Sequence, residues 1–296
     1  MTQLAVWRKG HAGMNGSTEG EAVTAGPGRA GRDHGLSTQR RWSIHLGAES
    51  VLSIASLGTG VVVWEILGRF MNLIFLPPAS DVVRRMWTLI VSGELLPELF
   101  GSLQNLFLGF VISAVSGVVI GVAMARVRWL EQALDPYVYA FLTAPSIVFV
   151  PIYFSLFGLS HWAIIALIVQ YAVFIVVVNT ITAIQTVDTE LVEMARVYGA
   201  RNEVVVVQKV LLRAALPLIA AGLRLGLGRA IKGMINGEIL IAVVGLGGMS
   251  SAFGRAFDPE GVLAILLVVI IVALVLDRGA QMFDNRVNSW LPKTYR

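Results

Sequence analysis

The polar and ionisable side chains set inside apolar sequence are the ones whose chemistry needs an account. Arg229, Lys232 and Asn236 follow i, i+3, i+7 spacing and share one helix face, with Glu238 nearly opposite. Two cations on one face either attract an anion or extend to a membrane interface, and both readings stand at this stage. Glu238, flanked by Gly237 and Ile239-Leu240-Ile241, is expected to form an inter-helix hydrogen bond or ion pair, with solute contact as its second role. Pro145 and Pro151 interrupt another apolar run, where each removes a helix hydrogen bond and can expose carbonyls to a path or merely kink the packing. Gln170, Tyr171 and Asn179 suit helix-to-helix hydrogen bonds. No catalytic constellation accompanies these groups. There is no cysteine, the four histidines (His11, His34, His45 and His161) lack metal-ligand spacing, and no G-x-x-x-x-G-K-[ST] phosphate loop occurs.

The elements that hold these residues are membrane spans. The chain is 56% hydrophobic and only 14% charged, displaced from soluble proteins in both directions, so much of its surface must meet lipid. The net charge of +4 does not point to nucleic acid, because the basic residues fall in gaps between apolar runs. Six segments reach the length of a span, near residues 51–70, 99–125, 133–157, 162–184, 218–244 and 262–282. Runs this long and continuous are helices rather than barrel strands. The expected organisation is a cytoplasmic tail over residues 1–50 without stable structure, a transmembrane domain over 51–284, and a short cytoplasmic tail over 285–296.

One set of gaps carries Arg126, Arg128, Arg196, Arg201, Lys209, Arg213 and the basic residues of both tails, whereas the other carries only Arg84, Arg85 and Arg255. That asymmetry puts both termini in the cytoplasm. Residues 81–94 are expected as an external amphipathic helix after Pro77-Pro78.

The cytoplasmic loop between the fourth and fifth spans, residues 185–217, is the most informative stretch. Glu190, Glu193, Met194, Val197 and Tyr198 form an amphipathic helix, Gly199 supplies a break, and a second short helix over residues 204–211 is expected to end at Leu216-Pro217. Two short helices hinged at a glycine suit docking into a groove on a partner.

Here the chain resembles the inner-membrane permeases of binding-protein-dependent ABC importers, whose cytoplasmic signature reads Glu-Ala-Ala, three residues, Gly, then a variable stretch ending in Leu-Pro. The matching residues are Glu193-Met194-Ala195, Gly199 and Ala214-Ala215-Leu216-Pro217. Leu134-Asp135-Pro136, Ala144-Pro145, Phe157-Gly158-Leu159, Asn179-Thr180, Gly222-Leu223-Arg224, Gly228-Arg229-Ala230, Glu238 and Gly245-Leu246-Gly247 recur in order around them. The resemblance covers about residues 60 to 290 and is closest to the nitrate, sulfonate and taurine branch. Two positions depart from the pattern. Met194 replaces an alanine, and Arg213 stands where the family often has a proline, with the stretch after Gly199 one residue longer, so the second short helix is expected to be longer or shifted in register.

The resemblance implies an all-α polytopic protein of about six transmembrane helices, like a type I ABC importer permease, in a bacterial inner membrane. It implies a permease homodimer, a dimer of ABC ATPase subunits docked at Glu193, Ala195, Gly199, Leu216 and Pro217, and an extracytoplasmic solute-binding protein. The chain itself needs no cofactor, since ATP is bound by the partner. Pro145, Pro151, Arg229, Lys232, Asn236 and Glu238 are the candidates for lining the path. A stand-alone secondary transporter is the second reading, though it leaves the docking loop without a purpose and no inverted repeat is visible.

Overall fold

The computed structural model describes residues 45–70, 76–200, 202–241 and 244–287. Both tails therefore lie largely outside the described residues. By packing, the chain divides into residues 1–52 and 53–296, and all contacts below belong to the latter. Eleven α-helices occur among the described residues: α1 (His45–Phe70), α2 (Ala79–Val91), α3 (Leu95–Arg126), α4 (Arg128–Thr143), α5 (Val150–Phe157), α6 (His161–Gln185), α7 (Thr189–Val197), α8 (Glu203–Val206), α9 (Leu212–Ile241), α10 (Gly245–Arg255) and α11 (Pro259–Val287). With no water in a bilayer core, an apolar run must satisfy its backbone internally, and the helix does so.

Helix α6 is the centre. Ala163, Ile164, Leu167, Ile168 and Ala172 are wholly buried on it, and more than half of its apolar window is covered by protein. Two glycine-bearing helices enclose it. On α3, a Cβ added at Gly109 would come within 2.5 Å of Ile168, at Gly117 within 2.8 Å of Val176, and at Gly121 within 2.6 Å of Thr180. On α9 the same holds for Gly222 against Asn179 (2.5 Å), Gly226 against Val176 (2.7 Å) and Gly233 against Tyr171 (3.0 Å). Each contact requires the absence of a side chain, so the backbones approach as small-residue interfaces allow.

Among the described residues, four helical runs are long and apolar enough to cross a membrane: 95–126, 161–185, 203–241 and 259–286. A fifth is a bent pair, α4 with the segment from Ser146 to Phe157, turned through 98°. The first expected span, 51–70, is helical within α1.

The third expected span is not the continuous helix that 133–157 suggested. Ala144 precedes a proline and takes ψ 139°, the extended conformation that a following proline enforces. Helix α4 therefore stops at Thr143, a 3-10 turn (Ser146–Phe149) follows, and α5 starts afresh. Pro145 makes this break. Pro151 occupies the first turn of α5, where no backbone hydrogen bond is lost, so it kinks nothing.

A second correction concerns Leu216-Pro217. These residues do not end a helix: Pro217 lies inside α9, which joins α8 through one turn of π-helix (Val207–Leu211). Val206, Leu211, Ala215 and Ile219 pack along that run against Ala183 and Ile184 of α6, and this apolar contact holds the helix together past the proline.

Replacing Gly117 with isoleucine should lower the thermal unfolding midpoint of the detergent-purified protein by the equivalent of about 1–3 kcal/mol of overpacking. Gly101→Ala, where an added Cβ meets nothing within 4 Å, should leave the midpoint unchanged or slightly raised. Equal melting of the two variants would contradict the packing described.

Candidate functional site: the loop between α6 and α9 and the exposed face of α9

The loop after α6 is built by local capping. Asp188 accepts the backbone N–H of Glu190 at 3.0 Å and starts α7; Asn202 accepts that of Val204 at 2.9 Å and starts α8. Between them Gly199 has φ +97°, a backbone state that side chains with a Cβ adopt at a cost. The N–H of Ala200 then bonds Ala195 at 3.0 Å and closes α7. Val197 and Tyr198 stand at the tip, each 86% exposed, with Leu191 and Met194 also exposed on α7. Glu193 and Gly199 are exposed, Ala195 and Pro217 half-buried, and Leu216 exposed.

An ion-pair network that the sequence did not announce fixes this loop to the bundle. Glu203 accepts from Arg196 of α7 at 2.6 Å through one oxygen and from Arg126, at the end of α3, through the other. One carboxylate thus joins both halves of the hinge to a membrane-crossing helix. Beyond Gly199, α8 joins α9 through the π turn at Val207–Leu211, whose i→i+5 bonds make a wider turn than an α-helix.

On α9 the structure separates residues that the sequence grouped. Arg229 and Lys232 are exposed, as is Gly228 beside them. Asn236 is half-buried and donates to the Tyr171 hydroxyl at 2.9 Å. Glu238 is fully buried, so it is on no open face of this subunit, and of its two expected roles it performs the inter-helix hydrogen bond. Its Oε2 accepts Ser102 Oγ–H at 2.9 Å and the Gly247 backbone N–H at 3.0 Å. Glu98 accepts the Gly245 N–H at 2.6 Å, and Ser102 Oγ accepts the Leu246 N–H at 2.9 Å. Three successive backbone donors at the start of α10 are thus satisfied by two carboxylates and a hydroxyl from α3 and α9, which suits the positive end of a helix.

Pro145 and Pro151 are exposed along the break. Tyr153 bonds Gln170, and Asn179 turns back to its own helix at the Ile175 carbonyl. Glu65 and Arg69 pair at 2.6 Å as their spacing suggests.

Several connections were not legible: Glu98 and Ser102 to α10, Arg224 to Asp277 through two bonds of 2.7 and 2.9 Å, and Arg85 to Asp258 at 2.9 Å. All are long-range pairs. Their only sequence signal is an ionisable residue inside or beside an apolar run.

The class of the protein is given by its relatives, and the all-α bundle with its exposed loop agrees with them. The chain belongs to the binding-protein-dependent transport system inner membrane component family, whose model matches residues 117–289. It is a multi-pass inner-membrane protein and the permease subunit of an ABC importer; as the family's description states, transport in such systems depends on a binding protein. It is 27% identical to the taurine transport system permease protein of Escherichia coli (strain K12), over 86% of this chain and 94% of the relative. It is 29% identical to a putative aliphatic sulfonates transport permease protein of Bacillus subtilis (strain 168), over 94% and 96%. Among solved structures, an inward-facing conformation of the MetNI methionine ABC transporter matches with TM-score 0.58 at 20% identity, over 64% of this chain and 93% of that one. That likeness confirms the all-α type I importer fold.

Replacing Glu238 with leucine strands the Ser102 hydroxyl and the Gly247 N–H, at about 1–3 kcal/mol each. The thermal midpoint of the purified protein should fall accordingly, while Glu238→Gln, which keeps an acceptor oxygen, should stay close to wild type. A leucine variant as stable as the glutamine variant would remove Glu238 from its structural role.

Proposed function

We propose that two copies of this chain form the translocation path, and that two ATPase subunits dock at the cytoplasmic loop centred on Glu193, Ala195 and Gly199, with Leu216 and Pro217 at its base. The solute is a small molecule of the sulfonate or taurine class, delivered by the external binding protein. ATP is bound on the ATPase, the chain itself carrying no phosphate loop. Both termini lie in the cytoplasm, in keeping with the Lys/Arg asymmetry between loops. The path runs beside the break at Pro145 and Pro151 and along the Arg229–Asn236 face of α9.

The observation that carries this reading is the loop itself. An isolated Val197-Tyr198 tip with both side chains 86% exposed, placed on a glycine hinge and tied by Glu203 to α3, is costly for a free surface and apt for insertion into a groove. ATP binding on the partner would favour one arrangement of the two loops over another. The permease follows through the differential binding free energy of its two conformations. The names of the taurine and sulfonate relatives support the solute class.

Gly199→Val should abolish both solute uptake and co-purification with the ATPase while membrane insertion stays intact, because the hinge alone is altered. Complex formation undiminished in this variant would remove the loop from the coupling role. No complex with the wild-type chain, under conditions where both proteins are folded, would overturn the reading as a whole.

A further inference from the structure

Depth decides between the two readings that sequence left open for Arg229 and Lys232. The contacts of Gly222 with Asn179, Gly226 with Val176, Gly233 with Tyr171 and Gly237 with Leu167 define an antiparallel register between α9 and α6. In that register Arg229 falls opposite Val173, twelve residues from either end of α6, or about 18 Å at 1.5 Å per residue. This exceeds half of the ~30 Å hydrocarbon thickness. An arginine side chain cannot reach an interface from there, and Lys232, three residues further along, is still about 13 Å from the nearer end of α6, further than a lysine side chain extends. The snorkelling explanation fails for both.

Neither cation has an ion-pair or hydrogen-bond partner among the described residues. Both line an open groove of about 590 Å³ between α9 and α11, with Arg224, Gly228, Asp277 and Asp284. The groove is polarised. Arg224 and Asp277 cancel through their paired bonds. Helix α11 runs antiparallel to α9, since Ile235 packs on the cluster that holds Ala264, Ile265 and Val268 of α11 while Arg224 meets Asp277. Asp284, seven residues beyond Asp277, therefore lies about two turns further from Arg229 than Asp277 does. Two uncompensated positive charges remain at mid-depth on an open face. A charge in that place faces water or a counter-ion rather than lipid.

We propose that Arg229 and Lys232 form an anion site halfway along the translocation path, so that the permease itself selects by charge. The ligand class is a small anionic group such as a sulfonate, carboxylate or phosphate. Arginine offers the planar donor fork that such oxyanions accept, and lysine adds a point charge less than one turn away. A lipid headgroup is excluded by depth. Arg224 is not part of the site, because both of its bonded nitrogens are held by Asp277. This inference rests on the permease reading above but adds a filter distinct from the external binding protein.

The chain has no cysteine, and a Cβ added at Gly228 meets nothing within 4 Å, so Gly228→Cys is a ready reporter. The full-length variant in proteoliposomes would be treated with the anionic reagent sulfonatoethyl methanethiosulfonate and with its cationic trimethylammonioethyl counterpart. Each rate is normalised to that with free 2-mercaptoethanol. The anionic reagent should react about tenfold faster than the cationic one, equivalent to about 1.4 kcal/mol, and that preference should vanish in the Arg229→Gln/Lys232→Gln background. The Arg229→Lys/Lys232→Arg background, which keeps both charges, should retain it and so controls for misfolding. Equal normalised rates in the parent, or no reaction with either reagent, would overturn the proposal, the latter meaning that lipid or the second copy covers this face. The labelling needs no ATPase, so its failure is separable from a failure of the docking assignment, which co-purification reads.

Discussion

Everything in this subunit depends on how closely α6 is approached by its two neighbours. Inside a bilayer, helices gain nothing from leaving lipid for one another by the hydrophobic effect, so association must come from contact and hydrogen bonding. The chain meets that constraint with glycines on α3 and α9, which receive the branched side chains of Ile168, Val176 and Thr180 and the Cβ of Asn179. A branched side chain has few rotamers to lose, and a glycine presents backbone rather than flexible atoms, so the contact is made at small entropic cost. The three helices therefore act as a rigid frame. Residues elsewhere can be polar, exposed or strained because this frame does not rely on them.

Polar groups within the frame fall into two kinds. Glu98, Ser102 and the Oε2 of Glu238 are taken up by the backbone donors that open α10 and by one another, and Arg224 by Asp277. These fix the helix ends and the α9–α11 contact. Arg229 and Lys232 are consumed by nothing among the described residues. The contrast between bonded and unbonded ionisable residues on one helix sets the structural groups apart from the proposed anion site more sharply than residue type does, since ionisable groups of either sign are expensive in a membrane.

Hydrophobic runs made most of the spans legible, because length and apolarity are properties of a single stretch. Gly199 was legible for the same reason: a helix signature, a glycine and a second helix signature are all local. What escaped was set by tertiary contact. Pro217 reads as a terminator by its own chemistry, yet packing of Ala215 and Ile219 on Ala183 and Ile184 carries the helix through it. Pro145 and Pro151 look alike in sequence and act differently, since one makes a 98° break and the other merely opens a helix. Glu203 gave no sign of bridging Arg126 and Arg196, the first of these being 77 positions away.

The π turn at Val207–Leu211 has a geometric consequence for the exposed Val197-Tyr198 tip. One residue more or less in an α-helix rotates everything beyond it by about 100°, because a turn holds 3.6 residues. The single widened turn between α8 and α9 therefore sets the azimuth of α7 and α8 relative to that of α9. A one-residue change in that turn would re-aim the exposed Val197-Tyr198 tip relative to the Arg229–Lys232 face of α9.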